Sequence, residues 1–277
     1  MSISAQDVKQ LREKTGAGIM DCKQALQEAD GSFEEAKEIL RKKGQKLSEK
    51  RADRQANQGL IVTKVSEDGK KAAALEINCE TDFVARNDDF QQRAAQFLKL
   101  VFDEEIETVD KLLATKLNDL TVADHLKDMV GKIGEKIEIN KIFLVKTEGE
   151  VVSYVHPGNQ LAVLVEFEDE VPDENVANNI AMQVAAMNPI AVNREGVDES
   201  VIEKELEIAK EQLRNQGKPE QIVEKAAKGK LGRFYEDHVL LEQKFVKDNS
   251  ISVKEYLKQN DAPLVTSFNR IQLGEEE

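Results

Sequence analysis

The spacing of apolar positions divides the chain into a helical start, two sheet-forming stretches and a charged helical insertion. In the first fifty residues apolar side chains recur at helical intervals in three short runs. Ser4 and Asp7 fit a capped start for a helix carrying Val8 and Leu11, with Thr15-Gly16 as its stop. A second helix begins near Ile19, carries Cys22, Ala25 and Leu26, and breaks at Asp30-Gly31. A third begins at Ser32-Phe33-Glu34-Glu35, a capping-box pattern, with Phe33, Ala36, Ile39 and Leu40 on its inner face and Gly44 placed to close it. Three short helices predict a minimal bundle, followed to about Asn57 by a basic helical extension or semi-rigid linker. Ile19 and Met20 open a helix over so small a core that apolar surface stays exposed there, available to a partner.

Beyond residue 57 the period changes, and the chain repeats itself. Ala72-Ala73-Ala74-Leu75-Glu76-Ile77 recurs as Ala162-Val163-Leu164-Val165-Glu166-Phe167, each preceded by a further strand, Leu60 to Val65 and Glu150 to Val155. Each hairpin precedes a helix: Phe90, Ala94, Leu98 and Val101 correspond to Val176, Ile180, Val184 and Met187. A later helix also recurs, Thr121-Val122 with Leu126 matching Ser252-Val253 with Leu257, before closing strands at Ile137 to Val145 and Val265 to Leu273. The expected fold is α+β: a duplicated core of two small antiparallel sheets, each covered by helices on one face.

The copies differ in two places. Ile77 to Phe90 spans 13 positions against 9 from Phe167 to Val176, and the surplus is expected on the Thr81-Asp82-Phe83-Val84 loop. Phe83 there either folds back as a core plug or faces outward. A loop that core packing does not require, yet which holds an aromatic, favours an outside contact. The second difference is an insertion: Glu199 to Asn215 is helical with Val201, Leu206, Ala209 and Leu213 on one side, Gln216-Gly217-Lys218-Pro219 makes a turn, and a second helix carries Ile222, Val223, Ala226 and Ala227. This predicts an antiparallel helical hairpin standing out as a solvated arm. The expected units are 1–55, helical module and linker; 56–146, first core subdomain; 147–195 with 235–277, second core subdomain; and 196–234, the inserted hairpin.

A formal net charge of −14 disfavours direct binding to nucleic acid or anionic membrane, and no apolar run is long enough to span a bilayer, so a cytoplasmic protein without membrane contact is expected. One segment runs against that charge: between Arg41 and Arg54 seven basic residues face Glu49 and Asp53, which reads as a solvated linker because no aromatic is interleaved to stack bases. Cys22 and Cys79 are expected to be reduced and buried, since they lack CxxC spacing and fall in apolar patterns. His125, His156 and His238 have no metal-binding spacing, Gly131 to Lys136 is not a phosphate loop, and no nucleophile elbow occurs. No cofactor, no metal and no enzymatic activity are expected, the rival being a hydrolase that pairs a cysteine with a histidine. His156, in the turn His156-Pro157-Gly158-Asn159, becomes a contact residue if that turn points the same way as Phe83.

Leu11-Arg12-Glu13-Lys14-Thr15-Gly16-Ala17-Gly18-Ile19-Met20-Asp21-Cys22 and Cys79-Glu80-Thr81-Asp82-Phe83-Val84-Ala85-Arg86, with Lys132-Ile133-Gly134-Glu135, Ser153-Tyr154-Val155-His156 and Gly217-Lys218-Pro219, closely resemble the elongation factor Ts family. The resemblance implies a guanine nucleotide exchange factor for elongation factor Tu in translation elongation, with a ubiquitin-associated-like N-terminal domain and a coiled-coil hairpin. It implies that Asp82 and Phe83, within Thr81 to Val84, enter the partner's GTP-binding domain and disturb its Mg²⁺ and phosphate site. Ile133 and His156 fall on further partner-facing positions, and Arg12, Ile19, Met20 and Lys23 match an N-terminal contact surface. The partner would be elongation factor Tu, GDP-bound or nucleotide-free; a homodimer or two-plus-two complex stays open, and the alternative function is an adaptor or chaperone-like binder that leaves nucleotide state unchanged. Larger members continue with a further helical segment after the last strand, whereas Leu273-Gly274 is followed here by Glu275-Glu276-Glu277, so partner binding is expected without that segment's contacts.

Overall fold

The computed structural model describes residues 3–275, so Glu276 and Glu277 of that acidic end lie outside the described residues. The first three helices are α1 (Ala5–Thr15), α2 (Ile19–Glu28) and α3 (Phe33–Arg51). The Ser4 hydroxyl accepts from the Asp7 N–H and the Asp7 carboxylate accepts from the Ser4 N–H, which closes the capping box of α1. Gly16, in the left-handed region at φ 69°, ends the helix. Leu11, Cys22, Leu26 and Ala36 are fully buried at the centre of this small core.

The first sheet unit comprises β1 (Gln58–Val65), β2 (Lys71–Cys79), a single turn α4 (Asp82–Ala85), α5 (Asp88–Asp103), α6 (Val109–Ala114), the short pair β3 (Lys116–Leu117) and β4 (Leu120–Thr121), α7 (Val122–Ile133) and β5 (Ile137–Lys146). The second comprises β6 (Glu150–Val155), β7 (Leu161–Phe167), α8 (Glu174–Met187), α9 (Glu199–Asn215), α10 (Glu220–His238), β8 (Lys244–Phe245), β9 (Asp248–Ser252), α11 (Val253–Gln259) and β10 (Val265–Gln272). Each sheet has three antiparallel strands with the second hairpin strand in the centre, in the orders β1-β2-β5 and β6-β7-β10. The fold is α+β, and its topology repeats in detail. In both sheets the closing strand slips register at the same place, between Glu76 and Ile77 and between Glu166 and Phe167.

The two sheets pack face to face about an approximate two-fold axis. Thr63 and Ser153, 90 residues apart, meet hydroxyl to hydroxyl at 3.3 Å. The Ile61 N–H donates to the Asn159 carbonyl at 2.7 Å and, reciprocally, the Val151 N–H donates to the Gly69 carbonyl at 2.8 Å. Each hairpin tip thus reaches the first strand of the other sheet. Ile61, Ala72, Ala74, Val151, Ala162 and Leu164 fill the space between the sheets, while α5 and α7 cover the outer face of one and α8 and α11 that of the other. A central strand covered on both faces is buried at consecutive rather than alternate positions, so β2 is buried from Ala72 through Cys79 and is mostly apolar; its two buried polar residues pair with each other, Asn78 donating to the Glu76 carboxylate at 2.9 Å.

Four expectations change. Gly44 does not end the third helix: α3 continues to Arg51, and Gly44 is buried where α3 crosses α7. A Cβ on Gly131 would lie 2.8 Å from the Gly44 Cα, and one on Gly44 would lie 3.2 Å from the Lys127 carbonyl, so the glycines allow close approach of two helix backbones. At the start of α3 only half of the expected capping box forms, the Ser32 hydroxyl accepting from the Glu35 N–H. The segment Arg41 to Arg54 is not a solvated linker; Arg41 pairs with Asp124, and Arg51 and Arg54 pair with Glu80, so it fastens the helical module to the core. Met187, expected on the apolar face of α8, is its last residue and 41% exposed, because Asn188 turns the chain away at φ 42°.

The surplus length between the copies is also shared out differently. β2 has 9 residues against 7 in β7, so part of the surplus extends the strand, and the remainder folds as the turn α4 rather than as a loop. In the second unit α9 and α10 are antiparallel and share a seam of Ala209, Leu213, Val223 and Ala227, with Val197, Tyr235 and Val239 at the base.

Candidate interaction surface

Phe83 is the most exposed large apolar residue among the described residues, at 82%, and it stands at the end of the extended strand β2. Strand pairing continues on both sides as far as Cys79, opposite Gln58 and Ile137, so the chain leaves the sheet from a fixed point. Next in sequence, the Glu80 carboxylate accepts from the Lys136 N–H at 2.6 Å, from Arg51 at 2.6 Å and from Arg54 at 2.9 Å. Burial opposes a charge on this carboxyl, but the Lys136 N–H, the two guanidinium hydrogen bonds and the Arg51 charge outweigh it and hold its pKa at about 2. Glu80 therefore stays ionised and joins three chain segments: the end of β2, the end of α3 and the stretch after α7.

Thr81 occupies the N-cap position of α4 without using its side chain as a cap. Its hydroxyl and N–H instead donate to the two oxygens of the Glu135 carboxylate, at 2.8 and 3.0 Å. Below the turn, Val84 and Ala85 pack on the first core. Beyond it the Asn87 side chain caps α5 by accepting from the Asp89 N–H, and Gln91 donates back to the Ala85 carbonyl. A one-turn helix has little stability of its own, so these external bonds hold it. Asp82 forms an ion pair with Arg86 at 3.0 Å on the exposed side. The result is a small rigid projection with an aromatic at its tip and a carboxylate beside it.

Ile133 ends α7 and packs against the first core, and Gly134, at φ 81°, turns the chain so that Glu135 reaches Thr81. Gln160, from the β6–β7 turn, lines the same shallow concavity as Asp82, Phe83 and Arg86, so that turn stands at the same edge. His156 begins the turn, is exposed, and its Nδ1 is hydrogen-bonded to the Tyr154 hydroxyl at 2.9 Å. Arg12, Ile19, Met20 and Lys23 belong to a separate group on α1 and α2; all four are exposed, Ile19 at 55% and Met20 at 71%. Thr81 to Val84, Ile133 and the His156 turn thus share one end of the core, and the α1–α2 group forms a second surface.

Sequence reasoning missed the residues that brace the projection: Glu80, Glu135, Arg51 and Lys136. A charge-pattern signal existed for one pair, since Arg51 and Arg54 are spaced to reach one carboxylate, but the identity of that carboxylate required the fold. Neither thiol is suited to nucleophilic chemistry. Cys22 and Cys79 are both buried, and burial together with the neighbouring Glu135 charge pushes the Cys79 thiol up to about 12. No helix among the described residues is long and apolar enough to cross a membrane.

A model of the family described as "Elongation factor TS" matches residues 80–275. Over 276 residues the chain is 48% identical to a protein named "Elongation factor Ts" from Flavobacterium psychrophilum, covering 99% of each. It is 46% identical over 274 residues to one of the same name from Christiangramia forsetii, covering 98% of this chain and 99% of that one. A third, from Prosthecochloris aestuarii, is 46% identical over 284 aligned positions, covering 98% and 99%.

Proposed function

The chain belongs to the elongation factor Ts family, and from that premise we propose that it is a guanine nucleotide exchange factor for elongation factor Tu in translation elongation, with Asp82 and Phe83 as its wedge. The observation that carries this reading is the combination of high exposure at Phe83 with a hydrogen-bonded base at Glu80 and Thr81. A side chain that is to push apart elements of another protein needs both. The exposed ring enters an apolar slot, and the braces keep the projection from folding back under load.

The thermodynamics of such a wedge are those of negative coupling. Contacts that hold Mg²⁺ and phosphate in the partner are strong and short-ranged, so a small displacement weakens GDP binding. By linkage GDP weakens exchange-factor binding by the same factor, which lets a fresh nucleotide expel the factor. Asp82 must first leave Arg86, an exposed pair whose rupture costs about 0–1 kcal/mol. Arg12, Ile19, Met20 and Lys23 supply a second contact surface that raises affinity without touching the nucleotide site. No step needs a group on this chain to react.

Release of a fluorescent GDP analogue from elongation factor Tu, followed by stopped flow, tests the reading. Acceleration by the wild-type chain is expected, and no acceleration would sink it. The exposed Ile19 and Met20 surface also fits an adaptor that binds without altering nucleotide state. That reading predicts a stable complex with GDP release unchanged.

A further inference from the structure

A cleft of about 530 Å³ lies along the seam between the helical module and the core, and its lining reverses the charge of the molecule. Seven lysine and arginine side chains face it against only two acidic ones, Asp21 and Asp128, in a chain whose formal net charge is −14. Three of the seven are neutralised locally: Lys43 by Asp21 at 2.6 Å, Arg41 by Asp124 at 3.2 Å and Lys37 by Glu34 at 2.7 Å. Lys14, Lys46, Lys50 and Lys132 have no carboxylate within ion-pair distance among the described residues. They come from α1, α3 and α7, so the excess charge is assembled by the fold. Lys132 reaches from the core to the module: a Cβ on Gly16 would lie 3.2 Å from its side-chain carbons.

Like charges at such a site repel one another in the free protein, and they are relieved by a ligand with several adjacent negative charges. Ammonium groups on flexible stems suit phosphate as point charges. The volume falls within the roughly 300–1,000 Å³ of small-molecule sites. Leu40, Leu47 and Leu120 add an apolar wall against which an organic group fits. Among the described residues no aromatic side chain lines the cleft, so they supply no stacking platform of the kind a single nucleic-acid strand uses.

We propose that this cleft binds a small polyphosphorylated anion and that the ligand clamps the α1–α2 turn to α7. The site is independent of the wedge, because Phe83 does not line it.

The test is a titration of the isotope-labelled full chain with tripolyphosphate, with ATP as a second arm, followed by amide chemical shifts at about 0.15 M salt, where the Debye length is ~8 Å. Saturable shifts clustered at residues 14–18, 43–50 and 128–132 are expected. Combined Lys14→Gln and Lys46→Gln should weaken binding about 10-fold or more, as loss of charge-assisted bonds implies. Circular dichroism and thermal unfolding of the exposed-site variant check that the fold is kept. ATP binding tighter than tripolyphosphate identifies a nucleoside polyphosphate as the ligand class, and equal affinities identify the bare polyphosphate. Shifts scattered over all lysines, affinity unchanged in the variant, no saturable shift, or tighter binding of a single-stranded oligonucleotide than of either probe overturns the proposal.

Discussion

The two copies of the sheet unit share strand order, hairpin geometry and even the position of the register slip, yet they differ where β2 and β7 hand over to the following helix. In the first copy the strand runs on to Cys79 and the turn α4 presents Phe83, with Glu80 and Glu135 bracing it. In the second, the strand ends at Phe167 and the acidic stretch Glu168-Asp169-Glu170 leads to α8 without an exposed aromatic. The helices before the closing strands differ too. α7 has 12 residues and α11 has 7, and the extra length of α7 carries Gly131, against which α3 packs, as well as the approach to Glu135. Both additions to the first copy serve one end of the molecule. A duplicated scaffold thus supplies two equivalent edges, and only one has been given a projection and the braces that stiffen it.

The comparison breaks most directly at Phe83. Phe83→Ala should reduce the stimulated rate of GDP release by about 30-fold or more, the ~2 kcal/mol scale of an interface anchor, while the unfolding midpoint of the free chain stays unchanged. Unchanged stimulation would show that the projection is not what distinguishes the copies. Glu80→Gln removes the charge that Arg51 and Arg54 face and should cost about 1–3 kcal/mol in urea unfolding, with a smaller loss of exchange rate. The same carboxyl gives a pH signature. It titrates at about 2 when folded against an ordinary value of 4.5, so the unfolded chain takes up the proton first as pH falls. Its contribution is whole above pH 4.5, is lost progressively between 4.5 and about 2, and should be missing from the acid-stability difference between wild type and Glu80→Gln below that window.

Gly131→Ala tests the second addition. Its Cβ would sit 2.8 Å from the Gly44 Cα, backbone against backbone, so about 1–3 kcal/mol of overpacking should appear as early protease cleavage within the helical module. Cleavage indistinguishable from wild type would mean that the helices part without cost. Least of all should happen at the bare edge. Asp169→Ala in the second copy is expected to change neither GDP release nor stability beyond about 0.5 kcal/mol, and any larger effect on exchange would make the two edges functionally alike.

Local chemistry determined much of what the sequence alone decided. The cap of α1, the turn at Gln216 to Pro219 and the ninety-residue repeat were legible because each depends on residues near in sequence or on side-chain periodicity. The aromatic at Phe83 could be singled out by comparing one copy with the other. What the tertiary structure decided were contacts between segments far apart in sequence. Gly44 reads as a helix end by its local propensity, yet it lies inside α3, because the lost backbone entropy of about 1 kcal/mol is outweighed by packing on α7. The basic run Arg41 to Arg54 reads as solvated until Glu80 and Asp124, from other elements, arrive beside it. Phe83 was written into the sequence as an exposed candidate, but its rigidity was not. That rigidity comes from carboxylates 54 to 56 positions away from their donors, and a hydrogen bond between such distant residues exists only once the fold has met the entropic cost of bringing them together.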